Sequence, residues 1–535
     1  MKTVTRLLAS CLLAASVAAL AQGAPPPTKP ADPVTGEPAQ AAPTAAPAAS
    51  DGGVGSIAPT AGTGTGAAPV AAPAPAPKKI DPKLFDDALN DYFAGRPKDA
   101  APKLFDYTEN VPSTDENYAW AQFFLARSLI ELKLNHAGAV YLARIARERT
   151  NPAVLTKALE ELQLLTDRPH DEVMIDEQVF GALDLGFLPE EIAGYAHYQQ
   201  GLVDLRVGNE RWATTHFSKL PEGGSEASRA KYAMLVTRLK QAKKDLPKEM
   251  IDQFFELAKD PKLTQDARND AMLAVARLRY ELADFTGALD AYNLVKLPSL
   301  DPGRAALYLE EAWTRYQLGQ VHAAMGLLTT LDAPSFREEF LPDKFLLKAL
   351  IYRDLCHYLP AKRSAKELTR RYSESLDAVR ERDDLTRDPR LLRAASARGS
   401  TRRARVFLES LELEGEQLGR YAGTFGERMF GYMTRVYDLS RAEAVRIYQQ
   451  RLTESVRVEA DKLLRAAEQV RLMEYEVGLK LYERVKKGSK LVALLEEEPL
   501  KTNQVSFKFA DEYWNDELRT YRFSLKSRCI EETAR

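Results

Sequence analysis

The sequence predicts an all-α chain, folded as a solenoid of helical hairpins. Three observations predict it. Small residues recur in pairs twelve positions apart: Ala88 with Ala100, Gly201 with Ala213, Ala276 with Ala288, Ala312 with Ala324, and Ala349 with Ala361. Ala126 and Ala139 read as the same step with one extra turn residue. The first members of these pairs follow a period of roughly 37 residues, two of the gaps being double steps, and such a period marks stacked helix pairs. Finally, 535 residues exceed what one core supports, whereas a quasi-linear array grows without enlarging its core. The physical cause is packing, because a small side chain on each arm lets two helix backbones approach closely.

Three segments carry further detail. Tyr198, Gly201, Gly208, Ala213, Phe217 and Pro221 form one set, and Ala276, Tyr280, Phe285, Ala288, Tyr292 and Pro298 a second, with Ala283 at the turn. Ala312, Tyr316, Gly319, Ala324, Leu328 and Pro334 form the third. These residues resemble the tetratricopeptide (TPR) repeat, which has a small residue late in helix A, a turn glycine, and an alanine in helix B. Near Glu160 and Arg238 the period predicts two more hairpins that lack the signature, giving about eight. The resemblance implies a right-handed solenoid whose A helices line a concave groove. Carried onto this chain, it places Arg127, Tyr198, Arg277, Tyr280, Trp313, Tyr316 and Arg353 in a partner-binding groove. Arginine and aromatic side chains suit such a hot spot, and the same residue types also serve as core between repeats.

Taken in order, residues 1–21 read as a secretory signal: Lys2 and Arg6, an apolar run, and a small-x-small site ending at Ala21. Cys11 lies inside the apolar run, so a lipoprotein signal is disfavoured. Residues 22–79 are rich in Ala, Pro, Gly and Thr and predict a disordered tether, since they offer little apolar surface to offset ordering entropy. The array occupies residues 80–375, with Gly95 at the first turn. In the last hairpin Cys356 stands at the turn and Pro360 opens helix B.

An arginine-rich linker spans residues 376–400. It is followed by long, coiled-coil-like helices over 401–490, one of them opened by a capping box at residues 440–443. Apolar residues every three or four positions from Val445 to Leu481 predict that this helix lies along the array or pairs with residues 402–418 in a hairpin, a coiled-coil dimer being the alternative. In the tail, 491–535, Val505, Phe507 and Phe509 alternate with polar residues, as do Tyr521, Phe523 and Leu525, which predicts a small β-hairpin. Tyr513, Trp514, Asp516 and Glu517 between its arms form a candidate second surface. Cys356 and Cys529 are expected to bridge the tail to the last repeat in an oxidising compartment, two free thiols being the alternative.

Function classes narrow by elimination. A net charge of −2 gives no global field for nucleic acid. The six histidines have no His-Glu-x-x-His spacing, and there is no Cys-x-x-Cys, Gly-x-Ser-x-Gly or Walker loop, so neither catalysis nor a cofactor nor a metal is expected. His197 and His216 fall on the two arms of one hairpin. The expectation is an exported, periplasmic scaffold, monomeric, holding another envelope protein or peptide. The layout is similar to that of TPR components of adventurous gliding motility. A structural spacer touching cell wall or membrane surface through the basic segment is the second expectation.

Overall fold

Six times the chain solves the same problem, how to reverse a helix without orphaning its last carbonyls. The computed structural model describes residues 83–242, 248–298, 301, 303–381, 384–486, 502, 512–514 and 517–529. The expected signal, the tether, Asp516 and the first arm of the tail ribbon lie outside these residues. In each signature hairpin the residue seven positions after the first small residue has positive φ: Gly95, Lys133, Gly208, Ala283, Gly319 and Cys356. The next residue donates its N–H back to the carbonyl five positions earlier, from Arg96 N to Asp91 O in the first turn to His357 N to Tyr352 O in the last. This is the Schellman ending, which satisfies the terminal carbonyls and points the chain into a second helix.

The hairpins so formed are α1 (Leu84–Phe93) with α2 (Pro97–Asn110), and α3 (Tyr118–Glu131) with α4 (Asn135–Glu148). Next come α5 (Pro152–Leu165), a π-helical turn (Val173–Val179), and α6 (Glu190–Arg206) with α7 (Glu210–Phe217). Then follow α8 (Ser225–Gln241) with α9 (Glu249–Lys259), and α10 (Gln265–Glu281) with α11 (Phe285–Leu294). The last two are α12 (Gly303–Gln317) with α13 (Val321–Thr330), and α14 (Asp343–Asp354) with α15 (Tyr358–Arg371). Ala88, Ala100, Ala276, Ala288, Ala312, Ala324, Ala349 and Ala361 all have zero exposure, as tight backbone approach requires. Of the two hairpins without the signature, α8 and α9 are both helices, whereas α5 is followed by the π-helical turn and a 3-10 turn (Phe180–Ala182).

The second hairpin corrects the sequence reading. There is no extra turn residue, and the small residue that meets Ala126 is Gly138, not Ala139. A Cβ on Gly138 would lie 2.9 Å from the Ala126 carbonyl and 2.6 Å from Ile130 Cγ1. Gly138 is twelve positions after Ala126, so all six hairpins share one step.

Lys133, Ala283 and Cys356 hold left-handed φ without being glycine, at 65°, 62° and 59°. That conformation costs a non-glycine residue about 1–2 kcal/mol. Ala283→Gly is therefore expected to stabilise the protein by about 1 kcal/mol, less the added entropy of the unfolded chain, measurable as a raised thermal midpoint.

Behind the array lie α16 (Ser373–Glu381), α17 (Pro389–Ser396), α18 (Gly399–Gly419) and α19 (Ala422–Lys486). The arginine-rich stretch is thus largely helical: Asp388 caps α17, and Leu391 and Ala395 are fully buried. Residues 440–443 open no helix. They lie within α19, whose break is at Gly426, with φ 68° and ψ 164°. Beyond that break the helix extends roughly 90 Å at about 1.5 Å per residue. It pairs with α18 and also lies along the array, on α2 and α4 at one end and on α14 and α15 at the other.

Two hydrophobic cores result. One joins Phe85 through Ala196 to Leu411, Met429, Met433 and Tyr437. The other joins Leu235 through Leu376 to Leu463, Val470, Met473 and Val477. Between them the long helix rests Leu452, Val456 and Ala460 on Leu391 and Ala395.

The described arm of the tail makes no strand. Phe523 N–H donates to the His322 carbonyl and Arg528 N–H to that of Leu355, so the arm is an extended strap on helix ends. Its period-two alternation is that of one side facing helices, with Leu518 and Leu525 buried. Cys529 is bonded to Cys356, their Cα atoms 5.2 Å apart.

Candidate docking surface

The residues assigned to the groove are mostly engaged in joining one hairpin to the next. Tyr92 OH donates to Glu131 at 2.9 Å, Tyr316 OH to Asp354 at 2.5 Å, and Gln317 to Tyr280 OH at 3.5 Å. In each case the tyrosine lies four positions after its hairpin's first small residue and the partner five positions after the next one's. A polar ladder therefore runs along the A helices. Arg127 is paired with Glu161, and Arg277 grips Glu310 through Nε and Nη2 at 2.9 and 2.8 Å. Tyr280 and Trp313 are 8% and 3% exposed, too buried to be read from outside. Tyr198 is half-buried beside Tyr195 and Phe217. Arg353 reaches Asp354 and, at 3.0 Å, Glu476 of the long helix, which takes the place of a further repeat.

What stays open is an aromatic face that the sequence reading did not assign. Phe93 is 72% exposed. Its ring lies 5.6 Å from Phe124, which in turn lies 5.2 Å from Tyr92 and is stacked on Trp120 at 6.0 Å. Such rings carry large apolar area at little entropic cost. A signal was present: Tyr92 with Phe93, and Phe123 with Phe124, are adjacent aromatic pairs. One helix stripe can bury only one member of each, since successive residues turn by about 100°. In the tail, Trp514 is 54% exposed and Glu517 is exposed, while Tyr513 is half-buried.

No protein-family model and no curated protein matches this chain. The reading therefore rests on geometry.

Polar contacts supplement the apolar joint between array and C-terminal helices. Glu414 on α18 accepts from the His136 N–H at 2.9 Å, from Asn135 Nδ2 at 3.3 Å and from Tyr437 OH at 2.7 Å. A carboxylate is thus set on the N-terminus of α4, where free N–H groups and the helix dipole favour it. His136 Nε2 lies 2.7 Å from Ser440 Oγ, a serine inside α19. Farther along, Glu172 bridges Arg403 and Arg451 at 3.0 and 2.9 Å.

Burial pushes the His136 pKa from 6.5 down to about 4. The unfolded chain binds this proton more readily, so the contribution is full above pH 6.5 and is lost as pH falls toward 4. The expected loss is about 3 kcal/mol across that window. His136→Gln should flatten the dependence, measured by denaturant unfolding at a series of pH values. Among the described residues no helix is long and apolar enough to cross a membrane.

Proposed function

We propose that the chain is an exported, periplasmic scaffold with a TPR-like, right-handed solenoid, serving an envelope machine of the assembly, division or gliding-motility type. An apolar segment of a partner polypeptide docks on the aromatic face of the first two hairpins. The observation that carries this reading is the exposure of Phe93. In the second-last and last hairpins of the ladder, Gln317 and Asp354 occupy the equivalent position and bond the hairpin before them. Among the described residues no hairpin precedes the first, which offers an exposed apolar ring there, continuous with the stacking surface. The C-terminal helices and the bridged tail hold the array in shape and present Trp514 as a second contact.

The spacer reading draws less support. Arg380, Arg387, Arg390, Arg398, Arg403 and Arg405 are each paired with a carboxylate, which partly offsets the charge this segment offers an anionic polymer. The test uses the full chain with a photo-crosslinker at Phe93 or, as a control, at the equally exposed Leu439. The scaffold reading expects one partner crosslinked from position 93 only, and co-purification of that partner with the parent chain that is retained at high salt and lost in Phe93→Glu. Envelope association that ignores Phe93→Glu and is released by salt would favour the spacer.

A further inference from the structure

Of the six histidines, four have at least one ring nitrogen bonded to a distant or backbone partner. His136 meets Ser440, and His170 meets the Arg168 carbonyl and Asp176. His322 donates to the Leu525 carbonyl at 2.9 Å and His357 to that of Lys526 at 2.8 Å. The remaining two, His197 on α6 and His216 on α7, face each other across their hairpin. Their Nδ1 atoms are 3.0 Å apart and both rings are half-buried. On the far side of His216, Asp204 Oδ2 lies 3.7 Å from Nε2.

Two converging Nδ1 lone pairs at this distance are joined either by one shared proton or by one metal ion. Zinc takes imidazole nitrogen at about 2.0–2.1 Å in tetrahedral geometry, which sets the two nitrogens about 3.3 Å apart. The rings need to part by only a few tenths of an ångström. Asp204, 3.7 Å from His216 Nε2 and so beyond hydrogen-bond reach, supplies a negative charge on the side of that ring away from His197. Among the described residues no third side chain completes a cluster, so solvent would fill the open positions. Lys219, whose charge acts on both rings, opposes a cation, and Asp204 offsets it.

The position gives the pair a consequence. The first core ends at Ala196 and the second begins at Leu235. The hairpin between them has the eight-residue α7 as its second arm, with Trp212 62% exposed. We infer that His197 and His216 form a binding site for one divalent transition-metal ion of the zinc or copper class, bracing the hairpin that joins the two cores. Nitrogen-donor sites favour these ions over magnesium or calcium.

The test is calorimetric titration of untagged, chelator-treated full chain with zinc and with copper(II). The expected result is one equivalent bound, with affinity falling at least about tenfold in His197→Ala and in His216→Ala, and by less in Asp204→Asn, which removes only a nearby charge. Lys219→Ala should tighten binding, and His170→Ala should leave it unchanged. Metal should raise the thermal midpoint of the parent chain but not of the histidine variants. If the alanine variants fail to fold, His197→Gln and His216→Gln keep a polar partner at each position and serve instead. One-equivalent binding that survives both substitutions, or no heat at millimolar metal, would overturn the site and leave a shared proton between the rings.

Discussion

Replacing Glu310 with alanine is expected to destabilise the second core by about 3–5 kcal/mol, the cost of stranding a buried charge. Its carboxylate, 10% exposed at the side chain, holds Arg277 by two hydrogen bonds and accepts from Tyr292 OH at 3.0 Å. Arg277 comes from α10, Tyr292 from α11 and Glu310 from α12, so the one carboxylate ties a hairpin to its successor. Its removal leaves a largely buried guanidinium without its two-bond acceptor, and Asp270 acts on it only through charge. The paired variant Arg277→Met with Glu310→Leu should cost much less than Glu310→Ala, because no charge is left behind. Global unfolding of two linked cores need not be two-state. Hydrogen exchange is the better measure, and protection should fall in α10–α12 while α1–α4 keep theirs. Equal loss in the single and the paired variant would mean that packing, not charge, governs this joint.

The sequence revealed the hairpins because close backbone approach forbids large side chains at fixed steps, and a forbidden residue type is readable without coordinates. The same logic misled at Ala139. Two small residues stood side by side, and only the turn, with positive φ on Lys133, selects Gly138. The groove assignment was weaker for a physical reason. Arginine and tyrosine suit stacking between repeats as well as they suit a partner, so residue type alone does not distinguish Arg277 in its buried pair from an exposed arginine. Residues 440–443 show the limit of local signals. A capping pattern has no force where Met429, Met433 and Tyr437 already bury one helical stripe ahead of it. The alternation of Tyr521, Phe523 and Leu525 was real, but an extended strap on helices alternates as a paired strand does. The approach of His197 to His216 follows from the hairpin and was visible as a possibility of spacing, whereas their facing nitrogens were not.

Gly326→Ala is expected to undock the tail at a cost of about 3 kcal/mol or more. A Cβ there would lie 1.7 Å from the Tyr521 carbonyl oxygen, 2.3 Å from its carbon and 2.9 Å from the Arg522 nitrogen. These are backbone atoms, so no rotamer change relieves the clash and the strap itself must leave α13. It would take with it the Phe523 N–H bond to the His322 carbonyl and the Thr330 hydroxyl bond to the Leu518 carbonyl. Glu311, fully buried between Arg315 and Arg519, would lose the second of these partners. The bridge to Cys356 would survive, so the tail should stay attached while becoming accessible. Trypsin should then cut at Arg519, Arg522 and Lys526 in the variant and not in the parent chain, with the fragment after Lys526, which carries Cys529, retained until reduction. Gly415→Ala provides the contrast: nothing lies within 4 Å of a Cβ there, and alanine in a helix interior should stabilise by up to about 1 kcal/mol. Unchanged resistance at those three sites in Gly326→Ala would mean that the strap is held by the bridge alone, and that the glycine is not what admits it.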